Sequence, residues 1–304
     1  MSEGIRIWPY VNRSRISTCG DATMSQSSYC RALDRPQTVK AKAEELDRRL
    51  TSSEMTEFRS CTGTAQWVSG QTRPECAAAT SLVQDAHPTL RNLAAAQQLV
   101  HYVADNPDQA LRFRSIPHHR LVMLAYGDSS WANAPGHKSQ AGFLNFLADR
   151  DALQPSGGQA SLLDWKTHRI RRACRSTIGA EAGAADVAID HAVYAATAMH
   201  EIWCQGFRST QCREKLPKEA ISVYLITDCR SLYDCLVKLS PPNVEEKRVA
   251  IDICSIREQI DASHVKWTPT QEQWADFLTK IQDPARFIEM LNLGRLRLSV
   301  VARE

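Results

Sequence analysis

Four acids in this chain stand where a fold could gather them. Asp128 closes a short apolar run, Glu181 opens a long helical pattern, Asp228 closes a second apolar run, and Asp276 lies in the last helical stretch. Strand ends and helix starts meet at one edge of an open α/β sheet, which is where such sheets hold ligands. Carboxylates gathered there suit phosphodiester hydrolysis. In-line attack by water needs a nucleophile activated at neutral pH and a leaving oxygen whose growing charge is neutralised, and two divalent metals about 3.5 to 4 Å apart meet both needs. Magnesium takes hard oxygen ligands and keeps several waters, so a few carboxylates and a substrate phosphate complete its shell without histidine or cysteine. Each acid also has a plainer role: Asp128 as a turn residue beside Gly127, Asp228 as a helix N-cap, Glu181 on a helix dipole, Asp276 on a solvated helix face.

The elements that must position these acids are written in the pattern around them. Leu121 to Tyr126 is an unbroken apolar run ending at Gly127, a buried strand. Two further strands are expected over Gln140 to Leu147 and Gln159 to Trp165, with a turn at Pro155 to Gly158, so the three form an antiparallel meander. From Gly179 to Trp203, Ala185, Ile189, Ala192, Ala196, Met199 and Trp203 recur at helical spacing and predict one buried face. A strand over Ile221 to Ile226, a helix, a helix from Val244 to Ile260 and a strand from His264 to Trp267 follow. A last helix is predicted from Thr270, which with Gln273 fits a capping box. Three strands, helix, strand, helices, strand, helix is the order of an α/β domain with a mixed sheet.

Ahead of this domain, residues 1–53 mix Ser, Arg and Cys without sustained period and predict poor order, apart from a charged helical piece around Ala41 to Leu50. Residues 54–115 read as a small helical unit, with Leu93, Ala96, Val100 and Val103 on one face and a stop at Asp105, Asn106 and Pro107. Residues 116–285 make the α/β domain and 286–304 a tail. No window approaches the roughly 18 to 20 apolar residues of a membrane helix, and the first thirty residues are too polar for a signal peptide, so no membrane partner and a cytoplasmic or nuclear location are expected. The ten cysteines form no Cys-x-x-Cys pair and read as reduced thiols rather than a zinc site. A net charge of +3 is too small to mark a nucleic-acid binder, so any basic footprint is local. Lys166, Arg169, Arg171, Arg172 and Arg175, just ahead of Glu181, are the candidate nucleic-acid contacts.

Tyr126-Gly127-Asp128-Ser129-Ser130-Trp131-Ala132 resembles a Tyr-x-Asp-x-x-Trp-Ala motif. Trp165-Lys166, Ser176-Thr177 and Glu181-Ala182 are similar to Trp-x-Ser-Lys-Lys and Ser-x-Glu-Ala segments. Thr227-Asp228-Cys229-Arg230-Ser231-Leu232 resembles an Asp-Asn-x-Ser-Ala element. Trp267 to Lys280 is similar to Val-Pro-Thr-x-Glu-Gln-x-Ala-Asp-x-x-Thr-Lys. Upstream, Phe58-Arg59-Ser60, Gly63 and Thr72-Arg73-Pro74 resemble Tyr-Arg-Ser-x-x-Gly and Thr-Arg-Pro. In this order the motifs resemble those of the carboxy-terminal part of a copia-type retrotransposon Pol polyprotein, the end of its reverse transcriptase joined to ribonuclease H. The resemblance implies a ribonuclease H-like five-stranded mixed sheet flanked by helices, preceded by a helical remnant of the reverse transcriptase. It implies that Asp128, Glu181, Asp228 and Asp276 are catalytic and bind two Mg2+ or Mn2+ ions, and that an RNA-DNA hybrid is the substrate whose RNA strand is cut. The departures are specific: Glu181-Ala182-Gly183-Ala184 replaces Glu-Ala-Glu-Tyr, no histidine lies between Lys266 and Asp276, and the Tyr-x-Asp-Asp of the polymerase site is missing. DNA synthesis is therefore not expected, and a truncated, catalytically inactive copy that folds and binds nucleic acid is the alternative.

Overall fold

The computed structural model describes residues 20–134, 136–204, 206–209, 220–238 and 244–299. The chain divides into two units between Ser115 and Ile116. Among the described residues no helix is long and apolar enough to cross a membrane.

In the first unit, β1 (Ala22–Ser25) pairs antiparallel with β2 (Ala110–Phe113), and the helices α1 (Ser27–Arg31), α2 (Ser52–Ser69), α3 (Ala77–Val83) and α4 (Leu90–Asp105) lie between them in sequence. Helix α2 starts on a capping box: the Thr51 hydroxyl accepts from the Glu54 amide while the Glu54 carboxylate accepts from the Thr51 amide at 2.8 Å. Phe58 and Cys61 of α2 pack against Leu93, Ala96 and Val100 of α4. Deeper in the unit, Arg73 Nε donates to Glu75 Oε1 at 2.5 Å and Arg73 Nη1 to the Asn106 carbonyl at 2.9 Å, with both charged side chains sealed from solvent. The expected disorder of residues 1–53 is corrected over 20–53, the part that is described: β1, α1 and the buried Cys30 belong to the fold. The partner of β1 lies far along the chain, beyond the reach of any local pattern. The helical piece expected at Ala41 to Leu50 shrinks to a single 3-10 turn, Ala43–Glu45.

The second unit is built on a six-stranded mixed sheet. Its strands are β3 (Leu121–Ala134), β4 (Lys138–Asp149), β5 (Gly158–Arg169), β6 (Ser222–Thr227), β7 (Val265–Trp267) and β8 (Arg295–Leu296), in the order β7-β6-β3-β4-β5-β8. Strands β3, β4 and β5 form the antiparallel meander, and β3, β6 and β7 run parallel. Helix α5 (Thr177–Trp203), α6 (Arg230–Val237) and α7 (Lys247–Gln259) complete the α/β order. Residues 121–129 of β3 are all buried, as a central strand covered on both faces requires. Leu121, Met123 and Ala125 join Ala182, Ala185, Ala188, Ile189, Ala192 and Ala196 of α5 in the main core. The alternate residues Val122, Leu124 and Tyr126 point to the other face, where Tyr126 meets Phe146 edge-on with ring centres 5.8 Å apart.

Six strands replace the expected five, and the tail from 286 is corrected over its described part. Helix α8 (Ala285–Leu293) buries Phe287, Met290 and Leu291, and Gly294, left-handed at φ 57°, reverses the chain so that β8 adds to β5 through Gly158↔Leu296 and Gln159↔Arg295. Residues 300–304 lie outside the described residues. The expected helix from Thr270 is also corrected. Thr270–Glu272 and Trp274–Leu278 are 3-10 turns, and Gln273 does not serve a capping box, since its amide oxygen accepts from the Ala275 amide and its Nε2 donates to the Gly127 carbonyl at 3.1 Å.

Candidate metal centre

The site forms where the parallel ladder of β3 and β6 runs out. Tyr126↔Ile226 is the last pair of that ladder, and two residues beyond each member come Asp128 and Asp228, so the register sets the two aspartates level. Asp128 does not close its strand as expected. Strand β3 continues to Ala134 because its antiparallel pairing with β4 persists through Asp128↔Gly142 and Ser130↔Gln140. Asp228 is the first residue past β6, in a turn fixed from three sides. The Thr227 hydroxyl accepts from the Cys229 amide at 3.1 Å, the Thr227 carbonyl from the Thr268 amide at 3.0 Å, and the Asp228 carbonyl from Trp267 Nε1 at 3.0 Å. The cap position of α6 is Cys229, which removes the plainer N-cap role from Asp228.

Glu181 enters from the α5 face. The helix begins after Ser176, whose hydroxyl accepts from the Gly179 amide at 3.2 Å, and Glu181 follows in its next turn. Ser129, on the α5 side of β3, donates to Glu181 Oε1 at 3.0 Å, while Oε2 is buried with no hydrogen-bond partner. Asp276 enters from the opposite face, on the 3-10 turn Trp274–Leu278. That turn is sewn to the sheet. The Thr279 hydroxyl donates to Asp128 Oδ2 at 2.6 Å, the Thr167 hydroxyl to the Leu278 carbonyl at 2.6 Å, and Asn133 Nδ2 to the Thr279 carbonyl at 2.9 Å. Lys280 pairs with Asp276.

Two glycines permit this closeness, one on each face. A Cβ on Gly142, directly across from Asp128, would stand 2.5 Å from Leu278 Cβ; a Cβ on Gly127 would stand 3.0 Å from Ala185 Cα on α5.

The electrostatics follow from burial. Asp128 is 5 % exposed, and desolvation pushes its carboxyl up to about 7; the Thr279 hydrogen bond opposes, Asp276 and Asp228 add to the rise, and Lys280 opposes it. Burial likewise lifts Glu181 well above the ordinary carboxylate range, with the charges of Asp128 and Asp228 adding and the Ser129 bond opposing. Asp128 thus feels the charges of Asp276 and Asp228, and Glu181 those of Asp128 and Asp228, although no group of three or more His, Cys, Asp or Glu side chains among the described residues is arranged to hold a metal ion. The donor set still fits a hard divalent cation. It is all carboxylate, Asp128 and Glu181 are buried while Asp228 and Asp276 are half-buried, and it carries an unpartnered Glu181 oxygen that protonation or a cation would satisfy.

Of the basic run, Lys166, Arg171 and Arg175 are exposed and Arg169 is half-buried at the end of β5. Arg172 is engaged: both its terminal nitrogens bond to Asp252 of α7. Lys166, Arg169, Arg171 and Arg172 line a cleft of about 490 Å³ that Asp186 and Asp252 also border. Sequence reasoning missed Ser129, Gln273 and Lys280 as partners of the site, and Thr279, whose hydroxyl orients Asp128. Thr279 and Lys280 stood inside the last quoted motif, whereas nothing local marks Ser129. Comparison of the chain with models of known protein families finds no match, and comparison with curated proteins finds none.

Proposed function

We propose that residues 116–299 form a ribonuclease H-like nuclease that cuts the RNA strand of an RNA-DNA hybrid, the ribonuclease H part of a retrotransposon Pol protein. One observation carries the reading. Asp128, Glu181, Asp228 and Asp276, singled out by motif order alone, come from a strand, a helix, a strand end and a 3-10 turn, and yet all four are tied to β3: Thr279 joins the Asp276 turn to Asp128, Ser129 holds Glu181, and the Tyr126↔Ile226 pair sets Asp228 level with Asp128. A three-stranded meander followed by two parallel strands and flanked by helices is compatible with that fold.

The four carboxylates would hold two Mg2+ or Mn2+ ions, which supply an activated water and neutralise the leaving oxygen. The chain's own residues do the positioning. Asp128 sits on a central strand whose backbone is bonded on both sides, and the Thr279 hydroxyl fixes its Oδ2. Ser129 holds one oxygen of Glu181 and leaves the other buried without a hydrogen-bond partner. Lys166, Arg169, Arg171 and Arg175 supply charge for the phosphates of the hybrid, which is recognised by backbone and 2′-hydroxyls rather than by sequence. Arg172, tied to Asp252, supports the fold beside that surface.

The test is cleavage of an end-labelled RNA-DNA hybrid by purified protein with MgCl2. Magnesium-dependent cutting of the RNA strand, abolished by Asp228→Asn, is expected. An intact hybrid, or cutting that Asp228→Asn leaves unchanged, refutes the reading. The second reading, a folded but inactive copy that binds nucleic acid, is favoured by the Lys280–Asp276 pair, which engages one of the four carboxylates; hybrid binding without cutting would select it.

A further inference from the structure

The acidic pocket already contains a cation. Lys280 Nζ is bonded to Asp276 Oδ1, and Gln282 Nε2 approaches the other oxygen of the same carboxylate at 3.4 Å. The residue before it, Thr279, is fully buried and locked to Asp128, so the root of the lysine is fixed at the pocket. Its side chain is 49 % exposed and its stem flexible, so the ammonium is free to swing into water without disturbing the turn. The fields of Asp128 and Asp228 reach it as well as that of Asp276.

From this geometry we infer that Lys280 is a built-in counter-ion of the four acids, one that divalent metal displaces on binding and that therefore sets the metal affinity of the site. The inference rests on the metal reading above. Without metal, the ammonium offsets part of the repulsion among Asp128, Asp228 and Asp276. Once metal enters, the same ammonium is a like charge beside it and opposes binding. An ordinary exposed ion pair between residues four apart would contribute little and would leave metal affinity untouched.

The experiment is thermal melting of the full chain titrated with MgCl2 at fixed pH, for the wild type, Lys280→Gln, Lys280→Met and Lys280→Arg. Both neutral variants are expected to melt lower without metal and to reach half of the magnesium-induced upshift at about three- to tenfold lower MgCl2. Lys280→Arg keeps the charge and is expected to hold the half-point at or above the wild-type value. A half-point in Lys280→Gln and Lys280→Met equal to or above the wild-type one overturns the role of Lys280 and leaves the metal reading standing. No upshift with MgCl2 in the wild type or in either neutral variant overturns the metal reading, and this inference with it.

Discussion

Replacing Gly142 by alanine tests how tightly the site is clamped. The new methyl carbon would lie 2.5 Å from Leu278 Cβ and 3.2 and 3.3 Å from the carbonyl carbon and oxygen of Leu278. A Cβ cannot move aside by rotating a side-chain torsion, because it travels with the backbone. Nor is the backbone loose: Thr167 grips the Leu278 carbonyl, Asn133 grips that of Thr279, and Phe277 stacks on the buried Phe287 with ring centres 5.1 Å apart. Reaching ordinary van der Waals contact requires the turn to retreat by roughly 1 Å, and overpacking of this kind costs about 1–3 kcal/mol. The same retreat would stretch the 2.6 Å bond between Thr279 and Asp128 beyond useful hydrogen-bond range and carry Asp276 with it.

Urea unfolding should therefore show a lower midpoint with an unchanged slope. Hybrid cleavage should fall by about 10²-fold, the usual scale for a 1 Å misplacement of reacting groups. Gly127→Ala, whose contact with Ala185 Cα is 3.0 Å, should do less to the turn and more to Glu181. If Gly142→Ala unfolds at the wild-type urea concentration and cuts at the wild-type rate, the turn is not clamped to β4 and the account of how Asp276 is placed fails.

Two further outcomes follow from buried charge. Asp128 has a folded-state pKa raised from 3.8 to about 7, so the folded protein binds more protons than the unfolded chain between those values, and metal-free stability should fall as pH rises from about 4 to about 7, by of order 4 kcal/mol. Asp128→Asn should flatten that loss and melt higher without metal at pH 8, whereas MgCl2 should reduce the loss in the wild type by stabilising the ionised acids; a metal-free melting temperature that climbs over this range would sink the argument. In the first unit, Arg73→Met strips the sealed Glu75 of its cation, and burial already holds that carboxyl above its usual range. A loss of about 3–5 kcal/mol is expected by urea unfolding, and a change under 1 kcal/mol would show that Glu75 finds another partner.

Much of the second unit was legible because its signals are local. The short apolar run at Leu121 to Tyr126, ended by Gly127, carries the signal of a strand buried on both faces, and the helical spacing from Ala185 to Trp203 marks the one buried face of α5. Other parts had no local signal. The cap-like Thr270 and Gln273 are read equally well as a helix start or as a turn, and what decides is the Gly127 carbonyl, which draws the Gln273 amide across the fold. Strand β8 is two residues long, and only Gly294 and the edge of β5 make it a strand. The order of the four acids could be read, but not the contacts that tie Thr279 to Asp128 and Ser129 to Glu181.

The placing of the two strand aspartates is a matter of register. The parallel pairing of β3 with β6 sets Asp128 level with Asp228, and a slip of one residue would turn one of them to the opposite face. Since side chains alternate along β3, Ser129 serves Glu181 on the helix side while Asp128 serves Thr279 on the other, so one strand gathers acids from both of its faces. Such a site needs the covering elements to approach closely on each side at the same level. Gly127 and Gly142 occupy the two positions where that approach happens, which makes the smallest residues at the site as necessary to its geometry as the acids.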